Sequence, residues 1–312
     1  MGRVGVDLYP LQSGVGLEDV ESFGKFLGGS PTNVAVAAAR YGRRAAVVTR
    51  TGADPFGRYV RRALAEYGVD ARFVADVPGL PTPVTFCELF PPDDFPLYFY
   101  RFPKAPDLEI RADELDLDAL ASARVLWTTV TGLCQEPSRS ATLAAMRSRP
   151  RDALTVLDLD YRPMFWEDEA EATRQAKEAL RHATVAVGNL AECAVAAGDL
   201  AARDDAHRAA KALLDAGVRL AVVKRGPGGV LAASADGAIV EGAPVPVDVV
   251  NGLGAGDAFG GALCHGLLAG WELGRTVAFA NAAGAHVAAR LPCAAAMPSE
   301  DEVEALLEGV RA

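Results

Sequence analysis

Short apolar runs of strand length recur along this chain with helix-length stretches between them, and this alternation restricts the possible folds most. The runs fall at 45–49, 125–130, 154–159, 184–187 and 220–223. Between them, Phe56, Tyr59, Val60, Ala63, Leu64 and Tyr67 lie at spacings that put them on one helical face. Segments 169–183 and 204–216 read the same way, and Gly217 is placed to end the second helix. Repeated strand–helix units predict an α/β fold, a mainly parallel sheet covered by helices on both faces. Ligands in such folds bind beyond the carboxyl ends of the strands. The polar motifs of this chain are expected to follow strands and to converge on that edge.

Two segments break the pattern. Segment 8–27 is glycine-rich and non-periodic. Segment 83–101 alternates apolar and polar residues around Pro91-Pro92-Asp93-Asp94, which predicts a hairpin instead of a crossover unit.

Among the motifs, Asn251-Gly252-Leu253-Gly254-Ala255-Gly256-Asp257 carries the most chemistry. It leads into an apolar helix-compatible segment, 258–268. Small residues let backbone N–H groups approach an anion, and a helix N-terminus adds partial positive charge. An aspartate there suits a general base beside a phosphate, although Asp is also a common helix cap. A second mouth of the same kind is Gly28-Gly29-Ser30-Pro31-Thr32-Asn33, running into 34–39. Proline near the helix start and Asn on its first turn leave a polar pocket at that helix end.

Bulk properties narrow the partners. Hydrophobic residues make up 50% of 312 residues, enough for one large or two smaller cores. A net charge of −10 and a pI near 5.0 argue against a nucleic-acid or anionic-membrane surface. Positive groups for a phosphate ligand must then be local, with Lys224, Arg225, Arg101, Lys104 and Arg162 the candidates. Five dispersed cysteines without a C-x-x-C pair predict idle thiols in a reducing cytoplasm, not disulfides or zinc. No apolar run has the length of a membrane span.

Together the two glycine-rich regions resemble the signature regions of the ribokinase-like (PfkB) carbohydrate kinase family. Asp7, Asp158-Leu159-Asp160-Tyr161-Arg162, Asn189-Leu190-Ala191-Glu192 and Lys224-Arg225-Gly226-Pro227-Gly228-Gly229 match in order, so the resemblance covers the whole chain. Gly2 to Pro10 and Pro91 to Arg101 are most similar to a subgroup acting on a sugar acid of myo-inositol breakdown. A 2-dehydro-3-deoxygluconate kinase, a fructokinase and a non-catalytic sugar or nucleotide sensor are the rivals.

The resemblance implies one kinase domain over 1–312, with 8–27 and 83–104 forming a small β-sheet lid. It implies ATP and Mg²⁺ as co-substrate and cofactor. Asp257 would be the base, and Gly254, Ala255 and Gly256 would offer N–H groups to the transferred phosphoryl. Asp7, Gly28, Gly29 and Asn33 would line the sugar, while Arg101, Lys104 and Arg162 would meet its carboxylate or a phosphate. Asn189, Lys224, Gly226, Gly229 and Asn281 would face the nucleotide, with Glu192 reaching Mg²⁺ through water. Asn251 stands where many relatives have Asp, so no monovalent cation site is assigned, and Asp160 replaces a usual Asn. Relatives carry more residues before the counterpart of Gly2-Arg3, which leaves two readings open, a shortened first strand or a misassigned start. Open lid-strand edges suggest a homodimer.

Overall fold

The computed structural model describes residues 1–311. The chain divides into two compact units: an inserted unit of Leu108–Pro244 with Met1–Gly2, and a flanking unit of Arg3–Asp107 and Val245–Ala312.

The first half of the flanking unit runs β1 (Gly5–Pro10), β2 (Phe23–Gly28), α1 (Ser30–Arg40), β3 (Thr49–Gly52), α2 (Pro55–Glu66), β4 (Val74–Val77), β5 (Val84–Cys87) and β6 (Leu97–Tyr100). The inserted unit continues with α3 (Leu117–Ser122), β7 (Val125–Thr129), α4 (Ser138–Arg147), β8 (Leu154–Asp158), α5 (Glu169–Leu180) and β9 (Val185–Asn189). It ends with α6 (Leu190–Ala197), α7 (Ala206–Asp215), β10 (Leu220–Lys224), β11 (Val230–Ser234) and β12 (Ile239–Gly242). Helices α8 (Ala255–Ala269), α9 (Leu273–Ala288) and α10 (Glu300–Arg311) return to the flanking unit.

In the inserted unit a six-stranded sheet has the order β12-β11-β10-β9-β8-β7. Strands β7 to β10 pair in parallel and β10 to β12 antiparallel. The parallel strands are buried along nearly their whole length and apolar at most positions, as strands covered on both faces require. That is why 125–130, 154–159, 184–187 and 220–223 were visible as continuous runs.

The flanking unit holds a four-stranded sheet, β2-β1-β5-β6, and a two-stranded parallel pair, β3-β4. Strand β1 pairs antiparallel with β2, closing 8–27 into a long-looped hairpin, and β5 pairs antiparallel with β6 around Pro91 to Asp94. The early strand lies at Thr49–Gly52 and not at 45–49, where only an isolated bridge from Ala46 forms. Its Thr49, Arg50 and Thr51 are polar yet buried, and Arg50 Nη1 donates to the Thr49 carbonyl at 2.9 Å. Apolar patterning cannot reveal such a strand. Strand β1 pairs with β2 and β5 within the four-stranded sheet, and the Met1 amino group donates to the Trp127 carbonyl at 2.8 Å. Among the described residues, no helix is long and apolar enough to cross a membrane.

Candidate functional site

In the flanking unit, Asp7 on β1 and Gly28 at the end of β2 lie on neighbouring strands. A Cβ at Gly28 would fall on the Asp7 carboxylate, so only glycine leaves that carboxylate its place. Gly29 caps α1 at φ 105°, and a Cβ there would meet the Arg3 carbonyl. These two glycines open the helix mouth at which Asn33 stands. Asn33 is buried; its Nδ2 donates to Asp257 Oδ2 at 2.8 Å, while its Oδ1 has no hydrogen-bond partner among the described residues. A buried amide oxygen without a donor suits a ligand hydroxyl.

Asp257 is the third residue of α8, and Gly254, at φ 79°, occupies the cap position. The aspartate is therefore not the N-cap of its helix. The first ladder bond runs from Ala258 N to Gly254 O at 2.9 Å, so the N–H groups of Ala255 and Gly256 precede the ladder. A side chain at position 254 would meet Cys293 Sγ at 2.5 Å. Contrary to expectation, this loop does not follow a strand. It ends an irregular stretch after β12, and its backbone is pinned when Val250 and Asn251 both donate to the Ala288 carbonyl, at 2.9 and 3.1 Å. Asn251 is fully buried; its Nδ2 donates to Leu291 O at 2.8 Å and its Oδ1 accepts from Leu253 N at 3.0 Å. Its amide thus ties two loops together, which requires a donor and an acceptor in one side chain. An ionised Asp has no donor for the Leu291 carbonyl.

Burial lifts the Asp7 pKa from 3.8 to about 6. The hydrogen bond from Tyr9, the charge of Arg3 and a bond with Thr85 oppose the rise, while the charge of Asp257 adds to it. Tyr9 donates to Asp7 Oδ2 at 2.8 Å. Arg101 forms a buried ion pair with Asp107 Oδ2 at 2.8 Å, and Asp107 Oδ1 has no hydrogen-bond partner among the described residues. Lys104 is half-buried nearby in sequence, and Asn281 is half-buried on α9. A cavity of about 330 Å³ lies elsewhere in this unit, lined by Arg40, His286, Arg290 and Glu302 but by none of the expected residues.

In the inserted unit, Asp158, Asn189 and Lys224 end the adjacent parallel strands β8, β9 and β10, with Lys224 in register with Asn189 and Asp158 with Val187. Arg162 pairs with buried Asp160 at 2.8 Å, which compensates the extra carboxylate. Asn189 caps α6 in a reciprocal capping box: its Oδ1 accepts from Glu192 N at 2.9 Å, and Glu192 Oε2 accepts from Asn189 N at 2.7 Å. Glu192 Oε1 lies outside the box. Gly226 and Gly229 have φ of 54° and 80°, and a Cβ at Gly229 would strike the Gly242 carbonyl, so this turn requires glycine. Arg225 is paired with Glu241 at 3.1 Å.

Three residues touching this constellation were missed by sequence reasoning. Tyr9 had a signal, since positions 7 and 9 of one strand share a face. Asp107 and Cys293 had none, because each is defined by a partner that no local spacing announces.

Residues 1–300 match the family described as pfkB family carbohydrate kinase. A protein of Photobacterium profundum named 5-dehydro-2-deoxygluconokinase is 33% identical over 304 residues, covering 96% of this chain and 91% of that protein. The fructokinase of Xylella fastidiosa with bound ATP superposes with a TM-score of 0.87 at 26% identity, covering 100% of this chain and 98% of the other. The fructokinase of Vibrio cholerae O395 in fructose-, ADP- and calcium-bound form gives 0.84 at 26% identity over 98% and 97%.

Proposed function

The chain belongs to the pfkB family of carbohydrate kinases, a phosphotransferase family, and from that premise we propose that it transfers the γ-phosphoryl group of ATP to the 6-hydroxyl of 5-dehydro-2-deoxy-D-gluconate. The observation that carries the reading is the Asn33–Asp257 hydrogen bond at 2.8 Å. It holds a carboxylate in the first turn of α8, beside N–H groups that precede the helical ladder, and leaves Asn33 Oδ1 for a substrate hydroxyl. The name of the Photobacterium relative supports the sugar acid as substrate. The ligands of the two fructokinases support a sugar, ATP and a divalent cation.

Asp7 and Asn33 grip the sugar hydroxyls, with Gly28 and Gly29 leaving room for them. Arg101, held by Asp107, and Lys104 meet the sugar carboxylate. Asp257 accepts the proton of the primary hydroxyl as its oxygen forms a bond to the γ-phosphorus. The bond from that phosphorus to the β–γ bridging oxygen breaks, and ADP leaves with the electron pair. The N–H groups of Gly254, Ala255 and Gly256 stabilise charge on the phosphoryl oxygens. Asn189, Lys224, Gly226, Gly229 and Asn281 are the nucleotide-binding residues of this reading, and Arg162 binds phosphate or carboxylate. Glu192 Oε1, outside the capping box, fits a water-mediated contact to Mg²⁺, which takes few direct protein ligands. Bound Mg²⁺ would neutralise charge on the β- and γ-phosphate oxygens.

Segments 8–27 and 83–104 act as a lid over the sugar. Their sheet leaves Tyr98, Tyr100 and Phe102 exposed, which supports a homodimer formed there; a monomeric mass by light scattering refutes it. The five cysteines form no disulfide among the described residues, which supports a cytoplasmic location.

An ATP-consumption assay with Mg²⁺ across 5-dehydro-2-deoxygluconate, 2-dehydro-3-deoxygluconate and fructose tests the function. The first is expected to be turned over best, with kcat falling about 10²–10⁴-fold in Asp257→Asn while sugar and ATP still bind. Turnover of another member alone discards the substrate and keeps the kinase. Binding without turnover by the wild type points to a sensor.

A further inference from the structure

A buried polar line crosses the flanking unit from the sugar-side carboxylate to the anion loop. The Tyr9 hydroxyl donates to Asp7 Oδ2 at 2.8 Å, and the Tyr9 hydroxyl oxygen lies 2.9 Å from Cys293 Sγ. The Cys293 thiol in turn donates to the Leu253 carbonyl at 3.1 Å. Tyr9 and Cys293 are almost fully buried and pack with Cys87, Leu89, Phe26 and Leu253. Gly254 follows Leu253 directly and rests against the cysteine so closely that a methyl group would not fit. Tyr9 and Cys293 are 284 positions apart.

Packing alone does not account for this pair. Phe and Ala would fill similar space without placing a phenol and a thiol beside a buried carboxylate, which is costly unless every polar group is paired. Counting protons shows how the groups are paired. Three contacts link Asp7, Tyr9, Cys293 and Leu253, yet the hydroxyl and the thiol bring only two protons while Asp7 is ionised. One contact must then go without a proton. When Asp7 holds a proton, all three can be satisfied in one direction, from carboxyl to phenol to thiol to carbonyl. The state of Asp7 therefore bears on the carbonyl that immediately precedes Gly254.

We propose that Tyr9 and Cys293 are positioning residues, a hydrogen-bonded strut through which the sugar-binding carboxylate Asp7 sets the geometry of the Leu253–Gly254 loop. The proposal rests on the kinase reading of Asp7 and of the loop, and it goes beyond that reading by linking them. A sugar hydroxyl arriving at Asp7 alters the hydrogen bonds at one end of the strut. The loop that presents N–H groups to the phosphoryl lies at the other.

The test is a double-mutant cycle on kcat/KM for the sugar, with Tyr9→Phe and Cys293→Ala singly and combined, and Cys293→Ser as the variant that keeps a donor. Whichever sugar of the panel the wild type turns over serves as substrate. Tyr9→Phe is expected to raise sugar KM about tenfold with ATP KM unchanged, and Cys293→Ala to lower kcat by a similar factor. The double variant should fall short of the product of the single losses by about threefold or more, and Cys293→Ser should recover most of the kcat lost in Cys293→Ala. Multiplicative losses, or serine no better than alanine, overturn the strut while leaving the kinase standing. Wild type that turns over no sugar overturns the kinase reading and the strut with it. Melting temperatures of all variants separate misfolding from misplacement, and should Tyr9→Phe not fold, the alanine–serine comparison decides.

Discussion

Asp7→Asn should make the ligand-free protein more stable and at the same time unable to hold its sugar. Asp7 is 8% exposed, and burial raises its pKa from 3.8 to about 6. A folded-state pKa above the unfolded value means that the native state holds the proton more tightly. That contribution to stability is complete below about pH 3.8 and is lost as pH rises through about 6. A rise of about two pH units corresponds to about 3 kcal/mol between the two limits. Asparagine stays neutral and keeps an oxygen to accept from Tyr9. At pH 8 the variant should therefore exceed the wild type by as much as about 3 kcal/mol, and roughly half of that should remain at pH 5.

At about 2.1 cal/mol/K of unfolding entropy per residue, 312 residues translate 3 kcal/mol into a melting-point gain of about 5 °C. The gain is larger if the flanking unit melts alone. Thermal denaturation followed by circular dichroism from pH 5 to 8, at constant ionic strength, reads the effect directly. Tyr9, Arg3, Thr85, Asp257 and Cys293 face the carboxylate electrostatically and are unchanged in the variant. An equal melting point at pH 8, or an offset independent of pH, would refute the reasoning.

Two further substitutions probe the ligand-binding residues. Arg101→Lys keeps a cation beside Asp107 but loses the planar fork, so KM for the sugar acid should rise about 10–100-fold with ATP KM unchanged; an unchanged sugar-acid KM in steady-state kinetics would remove Arg101 from substrate binding. Glu192→Gln retains a capping box, since glutamine also accepts from the cap N–H. Its melting point should stay near that of the wild type while the Mg²⁺ concentration for half-maximal rate rises several-fold, and equal Mg²⁺ dependence would confine Glu192 to capping.

What the sequence revealed followed the reach of each signal. Strands β7 to β10 were legible because burial on both faces demands unbroken apolar runs. Strand β3 was not, since its burial is met by threonines and by an arginine that bonds to backbone carbonyls. The loop carrying Asp257 was visible from its small residues, but its supports were not. Asn251 bonds to Leu291 and Gly254 leans on Cys293, forty residues downstream in the first case. Asn189 and Glu192 show the converse. A spacing that suggests ligand contact also builds a complete capping box, and geometry alone fixes the second role.

The order in which the two units occur along the chain also bears on how the protein is made. The inserted unit is continuous apart from Met1–Gly2, whereas the flanking unit is interrupted by it. On a ribosome moving at about 5–20 residues per second, all strands and helices of 108–244 are present before the flanking unit is complete. Asp7, Gly28 and Asn33 must wait for the segment that begins at Val245 before Asp257 and Cys293 exist to meet them. Through most of synthesis the early half of the flanking unit has neither α8 against α1 nor the loop that completes the core around Tyr9. That half keeps apolar surface uncovered for longest during synthesis, and a polypeptide cut short before Asp257 has no base to work with.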